Sequence, residues 1–199
     1  MHATRAYSVT EPSPHRLAFF PCDVESVSYY LALSELLLPT VEVLLVQCTD
    51  AYGETGPAFA RNSGDAVDQV VNTLAEWADR PLALFGDGGG ARLAYTVAER
   101  LEREAGITPS TLFVCNRAAP PQDEVPGEVS LHCPLVAIAS PAAPEVSLRE
   151  IRAWGGRTRA DFALETLHDV ACPPAKSQRQ VANLIHDQLI SSKCLSGTA

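Results

Sequence analysis

Short apolar runs alternate with amphipathic stretches along most of this 199-residue chain, and that alternation admits few architectures. Arg16-Leu-Ala-Phe-Phe-Pro21, Val41 to Gln47, Pro81 to Phe85, Thr111 to Cys115, Pro134 to Ala139 and Phe162 to Leu167 read as strands. Most are apolar nearly throughout, the pattern of strands covered on both faces. Helical spacing of apolar residues marks Ser26 to Leu38, Gly64 to Asp79, Ala91 to Ala105 and Ser177 to Ile190. Ser147 to Trp154 adds a short helix, with Ser147 and Glu150 at capping-box spacing. Strand and helix in turn predict an α/β protein with a mostly parallel sheet between two helical layers.

In such sheets, binding and catalytic groups collect at the carboxyl ends of the strands. That edge gathers Phe20 to Glu25, Gly86 to Gly90, Asn116 to Ala119, Ser140 to Glu145 and His168 to Cys172. Composition narrows what the edge can do. A net charge of −9 argues against a nucleic-acid partner, which clustered Lys and Arg would have to hold. The dense basic stretch, Arg149, Arg152, Arg157 and Arg159, reads as a solvated helix face. No apolar run approaches the roughly 18 to 20 residues of a membrane span, and the start of the chain lacks a signal-peptide pattern, so the expectation is a cytoplasmic protein. The six cysteines form no C-x-x-C pair, and no metal or organic cofactor is expected. The expected layout is a flexible leader over 1–15, one domain over 16–192 and a tail over 193–199.

The most informative local feature is Gly86-Asp87-Gly88-Gly89-Gly90, where a buried strand turns into a helix. Its spacing is that of the G-x-S-x-G nucleophile elbow, in which a strained turn lifts a serine beside backbone N–H groups. Here the serine position is Gly88. The bland alternative is a glycine-rich connector; dinucleotide binding is excluded by the missing G-x-G-x-x-G spacing.

At this point the chain resembles the type II, editing thioesterases of polyketide and nonribosomal peptide synthesis, which are three-layer α/β-hydrolases. The resemblance rests on Arg16-Leu-Ala-Phe-Phe-Pro21, on Tyr29 to Gln47, on Pro81-Leu-Ala-Leu-Phe-Gly86 with the helix after it, and on Leu112-Phe-Val-Cys-Asn-Arg-Ala-Ala-Pro120. Cys133-Pro-Leu-Val-Ala and Ala153-Trp154 with Thr158 extend it. Against the family pattern, the serine falls at Gly88 and the histidine before it at Asp87. The acid aligns with Ala143 and the catalytic histidine with Ala171. The F-P-x-A-G-G oxyanion loop becomes Phe20-Pro21-Cys22-Asp23-Val24-Glu25. The family's helical lid of about 70 to 80 residues is replaced by a proline-rich loop of about 15, which implies that the lid subdomain is absent.

Two classes of function follow. In one, a repurposed site acts on an assembly-line intermediate by cyclisation, dehydration or isomerisation, with Asp87 and Asp23 as paired carboxylates, His168 beside Asp169 as a titrating group, and Cys22 as a substitute nucleophile. In the other, a non-catalytic protein binds an acyl or peptidyl carrier protein or another synthase component, or forms a homodimer, through surface uncovered by the lost lid. Each candidate has a plainer reading: Asp87 as turn residue or helix cap, Asp23 and Glu25 as caps of the Ser26 helix, His168 as a solvated loop residue, Cys22 as an inert thiol.

Overall fold

The strands of the computed structural model form one seven-stranded sheet in the order β1-β3-β2-β4-β5-β6-β7. The structure describes residues 2–5, 13–21, 26–47, 64–121, 131–140, 146–167 and 178–195. In chain order the elements are β1 (His2–Arg5), β2 (His15–Phe20), α1 (Ser26–Leu37), β3 (Val41–Gln47), α2 (Gly64–Glu76), β4 (Leu82–Asp87), α3 (Gly89–Arg100), β5 (Leu112–Cys115), β6 (Leu135–Ala139), α4 (Leu148–Arg152), β7 (Phe162–Thr166) and α5 (Gln178–Leu195). A π-helical turn, Leu101–Ala105, prolongs α3, and a 3-10 turn, Ala153–Arg157, prolongs α4. The strands from β2 to β7 run parallel, and β1 alone is antiparallel.

Period-two alternation divides the strand residues between two cores. Ala18, Phe20, Leu84, Val114 and Ala137 face α2, α3 and Trp154. Leu17, Phe19, Phe85, Phe113 and Val136 face α1 and α5. Every residue of β2, β4, β5 and β6 is buried, which is why these strands are apolar instead of alternating.

Connectivity places the site. From β2 the chain passes through α1 to β3 on one side, then returns through α2 to β4 on the other side of β2. The two helices cover opposite faces, so a crevice opens above the carboxyl ends of β2 and β4. Phe20 pairs with Gly86 and Asp87 with Cys115 there. No helix joins β5 to β6 among the described residues; the whole connection is residues 116–134.

Two expectations need correction. The leader is not uniformly without structure: His2–Arg5 pairs with β3 from Arg5↔Leu44 to His2↔Gln47, and β2 begins at His15. Pairing covers an edge of β3 that four neighbouring residues cannot announce in sequence. Arg157 is no part of a solvated face, because its side chain is buried and donates to the Pro120 carbonyl.

At the opposite, amino edge of the sheet a charge cluster ties β2 to β3. Arg16 Nε lies 3.2 Å from Glu42 Oε2, both side chains being almost fully buried. Arg16 also donates to the Trp77 carbonyl at 2.7 Å and to the Asp79 carboxylate, with its guanidinium 5.1 Å from the Trp77 ring centre. Glu42→Gln should lower stability by about 2 kcal/mol, less than the 3–5 of a fully broken buried pair because Asp79 remains on Arg16. Denaturant unfolding measures it; an unchanged midpoint would show that the pair contributes nothing.

Candidate active site at the carboxyl edge of the sheet

Gly88 is the single residue between β4 and α3, with φ 49° and ψ −117°. That conformation lies where side-chain-bearing residues are rare, so the turn is strained for anything but glycine. Its N–H donates to the Cys115 carbonyl at 3.0 Å, extending the β4–β5 ladder past Asp87, and its carbonyl accepts from Ala91 N–H at 3.3 Å. The flanking glycines are dictated by contact. A Cβ on Gly86 would sit 2.4 Å from Ala91 Cα, and one on Gly90 would sit 2.0 Å from the Phe20 carbonyl oxygen. The first turn of α3 is therefore pressed directly on the ends of β2 and β4. This is a strand-turn-helix elbow in full geometry, with hydrogen in place of a side chain at its apex.

Asp87 closes β4 beside the apex and is buried, only 5% exposed. It is the last residue of the strand, and the N-cap of α3 is Gly88, which makes no side-chain cap. The positive end of α3 favours an anion at this rim. Of the other sequence candidates, Cys22, Asp23, Glu25, Ala143, His168, Asp169, Ala171 and Cys172 lie outside the described residues. The structure therefore locates Asp87 and Gly88 side by side in sequence and in space, and the Asp23–Asp87 pairing remains an expectation.

Two residues that the sequence places at this edge without a role, Asn116 and Ser140, meet across it. Asn116 follows β5 with φ 51°, and its Oδ1 accepts the Ser140 N–H at 3.0 Å at the end of β6. Its own N–H donates to the Ile138 carbonyl at 3.0 Å. Asn is among the few residues that tolerate positive φ. Asp87, Asn116 and Ser140 thus form a polar line across the ends of β4, β5 and β6.

Trp154, Arg157 and Thr158 fasten the connection between β5 and β6. Trp154, fully buried, donates Nε1–H to the Arg117 carbonyl at 2.7 Å and meets Tyr95 edge-on at 5.4 Å between centroids. Thr158 Oγ1 donates to the Cys133 carbonyl at 2.7 Å, and Glu102 accepts the backbone N–H groups of His132 and Cys133 at 2.9 Å each. Burial, with Glu102 nearby, pushes the Cys133 thiol up to about 12. Cys133 is protonated at neutral pH and unsuited to nucleophilic attack. Among the described residues, no group of three or more His, Cys, Asp or Glu is arranged to hold a metal ion, and no helix is long and apolar enough to cross a membrane.

Residues 15–191 match the Thioesterase domain family. The chain belongs to the thioesterase family. Its fold is α/β-hydrolase-like, and the backbone is similar to that of the type II thioesterase BorB from the borrelidin biosynthetic cluster, with a TM-score of 0.76 and 23% identity over 94% of this chain and 96% of BorB. The RedJ thioesterase of the prodiginine pathway in Streptomyces coelicolor superposes with a TM-score of 0.68, at 21% identity over 89% of each chain. Thioesterase PikA5 of Streptomyces venezuelae is 24% identical, covering 92% of this chain and 84% of PikA5. That match runs over 237 residues, more than the 199 this thioesterase-family chain contains, so PikA5 carries inserted segments absent here.

Proposed function

We propose that this chain is a type II thioesterase-like protein of polyketide or nonribosomal peptide biosynthesis that acts on a carrier-bound intermediate without a serine acyl-enzyme. It works as a lidless single domain in the cytoplasm. The observation that carries the reading is the elbow itself: Gly86 and Gly90 preserve its close contacts, while the apex residue, Gly88, offers no hydroxyl. Loss of a triad nucleophile costs on the order of 10⁶-fold in turnover, too much for the oxyanion-binding amides to offset. The thioesterase relatives BorB and RedJ, from a biosynthetic cluster and a biosynthetic pathway, support the assembly-line setting. The connection of residues 116–134 and the inserted segments of PikA5 support loss of the lid.

In the catalytic form of this reading, Asp87 handles a proton at the rim, with Asp23 and His168 as further acid-base candidates and Cys22 as a substitute nucleophile; a buried carboxyl beside a helix terminus is suited to acid or base work. The second form is a non-catalytic carrier-binding protein, favoured by the missing apex side chain. A fluorophosphonate serine probe should leave the intact protein unmodified by mass spectrometry, and an acyl-pantetheine thioester should leave no acyl group on serine. A serine adduct would overturn the proposal. Asp87→Asn then separates the two forms: turnover of the accumulated intermediate from a gene-deletion host drops at least about 100-fold if Asp87 moves a proton, whereas a binder shows no turnover in either protein.

A further inference from the structure

Arg16, Arg80, Arg100 and Arg103 each lie against a carboxylate, and Arg157 is buried on the Pro120 carbonyl. Arg117, Arg149 and Arg152 differ. All three are exposed, and among the described residues none has an ion-pair partner. Arg117 follows Asn116 at the carboxyl edge, where its carbonyl receives Trp154 Nε1–H. Ala119 N–H donates to the Glu150 carbonyl at 3.4 Å, laying this segment against α4, on which Arg149 and Arg152 are three residues apart on one face. Glu150, the carboxylate of α4, does not neutralise them: it accepts the Ser147 N–H at 2.8 Å and the Ser147 hydroxyl at 2.6 Å, closing the capping box. An unpaired cationic face therefore borders the rim of a chain whose net charge is −9.

We propose that Arg117, Arg149 and Arg152 form a docking face for a small acidic protein, bringing that partner beside Gly88 and Asp87. The inference rests on the reading that the chain acts on a carrier-bound intermediate, and it names the surface used. Guanidinium groups pair with discrete carboxylates bidentately. Duplex DNA or an anionic bilayer extends well beyond three arginines and meets a chain whose net charge of −9 repels it. A compact acidic protein covers the arginines alone.

The test is titration of the full chain with a purified acidic carrier protein, in its apo and phosphopantetheine forms, at low and high salt. The combined Arg117→Glu, Arg149→Glu and Arg152→Glu protein, checked for folding by thermal melting, should bind at least about tenfold more weakly. Arg179→Glu, an exposed change on α5, should bind like wild type, and salt should weaken wild-type binding. Arg149→Ala with Arg152→Ala gives the same direction without reversed charge. If wild type binds the carrier and the triple variant binds equally well, the docking face is wrong while the carrier reading stands. If wild type binds neither carrier form, both fail. If duplex DNA or phosphatidylglycerol vesicles bind wild type as tightly and are lost in the variant, the acidic-protein assignment is overturned.

Discussion

Gly90→Ala is expected to cost more than about 4 kcal/mol and to yield little folded protein, although helix propensity alone predicts a gain of about 1 kcal/mol for Ala over Gly. The reason is contact, not conformation. The added Cβ would lie 2.0 Å from the Phe20 carbonyl oxygen and 2.8 Å from its carbon, both backbone atoms at the buried end of β2. No rotamer change relieves that overlap; α3 has to lift from the sheet, taking Ala91, Ala94 and Val97 out of the core. Gly156→Ala is the control, since a Cβ there meets nothing within 4 Å. Urea unfolding of the two variants reads the difference. A Gly90→Ala protein as stable as wild type would refute the described elbow packing, and with it the geometry on which the proposed function stands.

Trp154→Ala is expected to cost about 3 to 5 kcal/mol, the range for emptying a buried indole site. Part of the loss is local to the functional edge, because the Arg117 carbonyl loses its Nε1–H donor and the chain leading away from Asn116 loses an anchor. Protease sensitivity between residues 116 and 134 should therefore rise before global unfolding, and carrier binding should weaken with it. Trp154→Phe keeps most of the packing against Tyr95 and removes the donor, so it should cost about 1 to 2 kcal/mol. Unaltered proteolysis in both variants would show that the 116–134 connection is held by something other than this tryptophan.

These contacts explain how far the chain could be read in advance. Asn116 illustrates the limit: its type permits positive φ, but only the alignment of β5 with β6 brings its Oδ1 to the Ser140 N–H. Arg157 illustrates a misleading pattern. Four arginines within eleven positions look like one solvated face, yet the 3-10 turn after α4 rotates Arg157 inward to Pro120 while Arg149 and Arg152 stay outside. Asp87 was legible as a rim residue from its place after the β4 run, whereas its burial depends on the neighbouring strand ends.

By itself the sequence determined the α/β class, the succession of strands and helices from β2 to α5, the capping box at Ser147 and Glu150, and the absence of a hydroxyl at the elbow. All are local: they follow from side-chain periodicity, from a cap three residues long and from the chemistry of one residue type. Tertiary structure alone decided that β1 pairs with β3, that Gly86 and Gly90 must be glycine, that Trp154 and Thr158 hold a distant connection, and which arginines remain in water. Each of these depends on two stretches of chain far apart in sequence meeting within a few ångströms, and burial and steric overlap exist only once they have met.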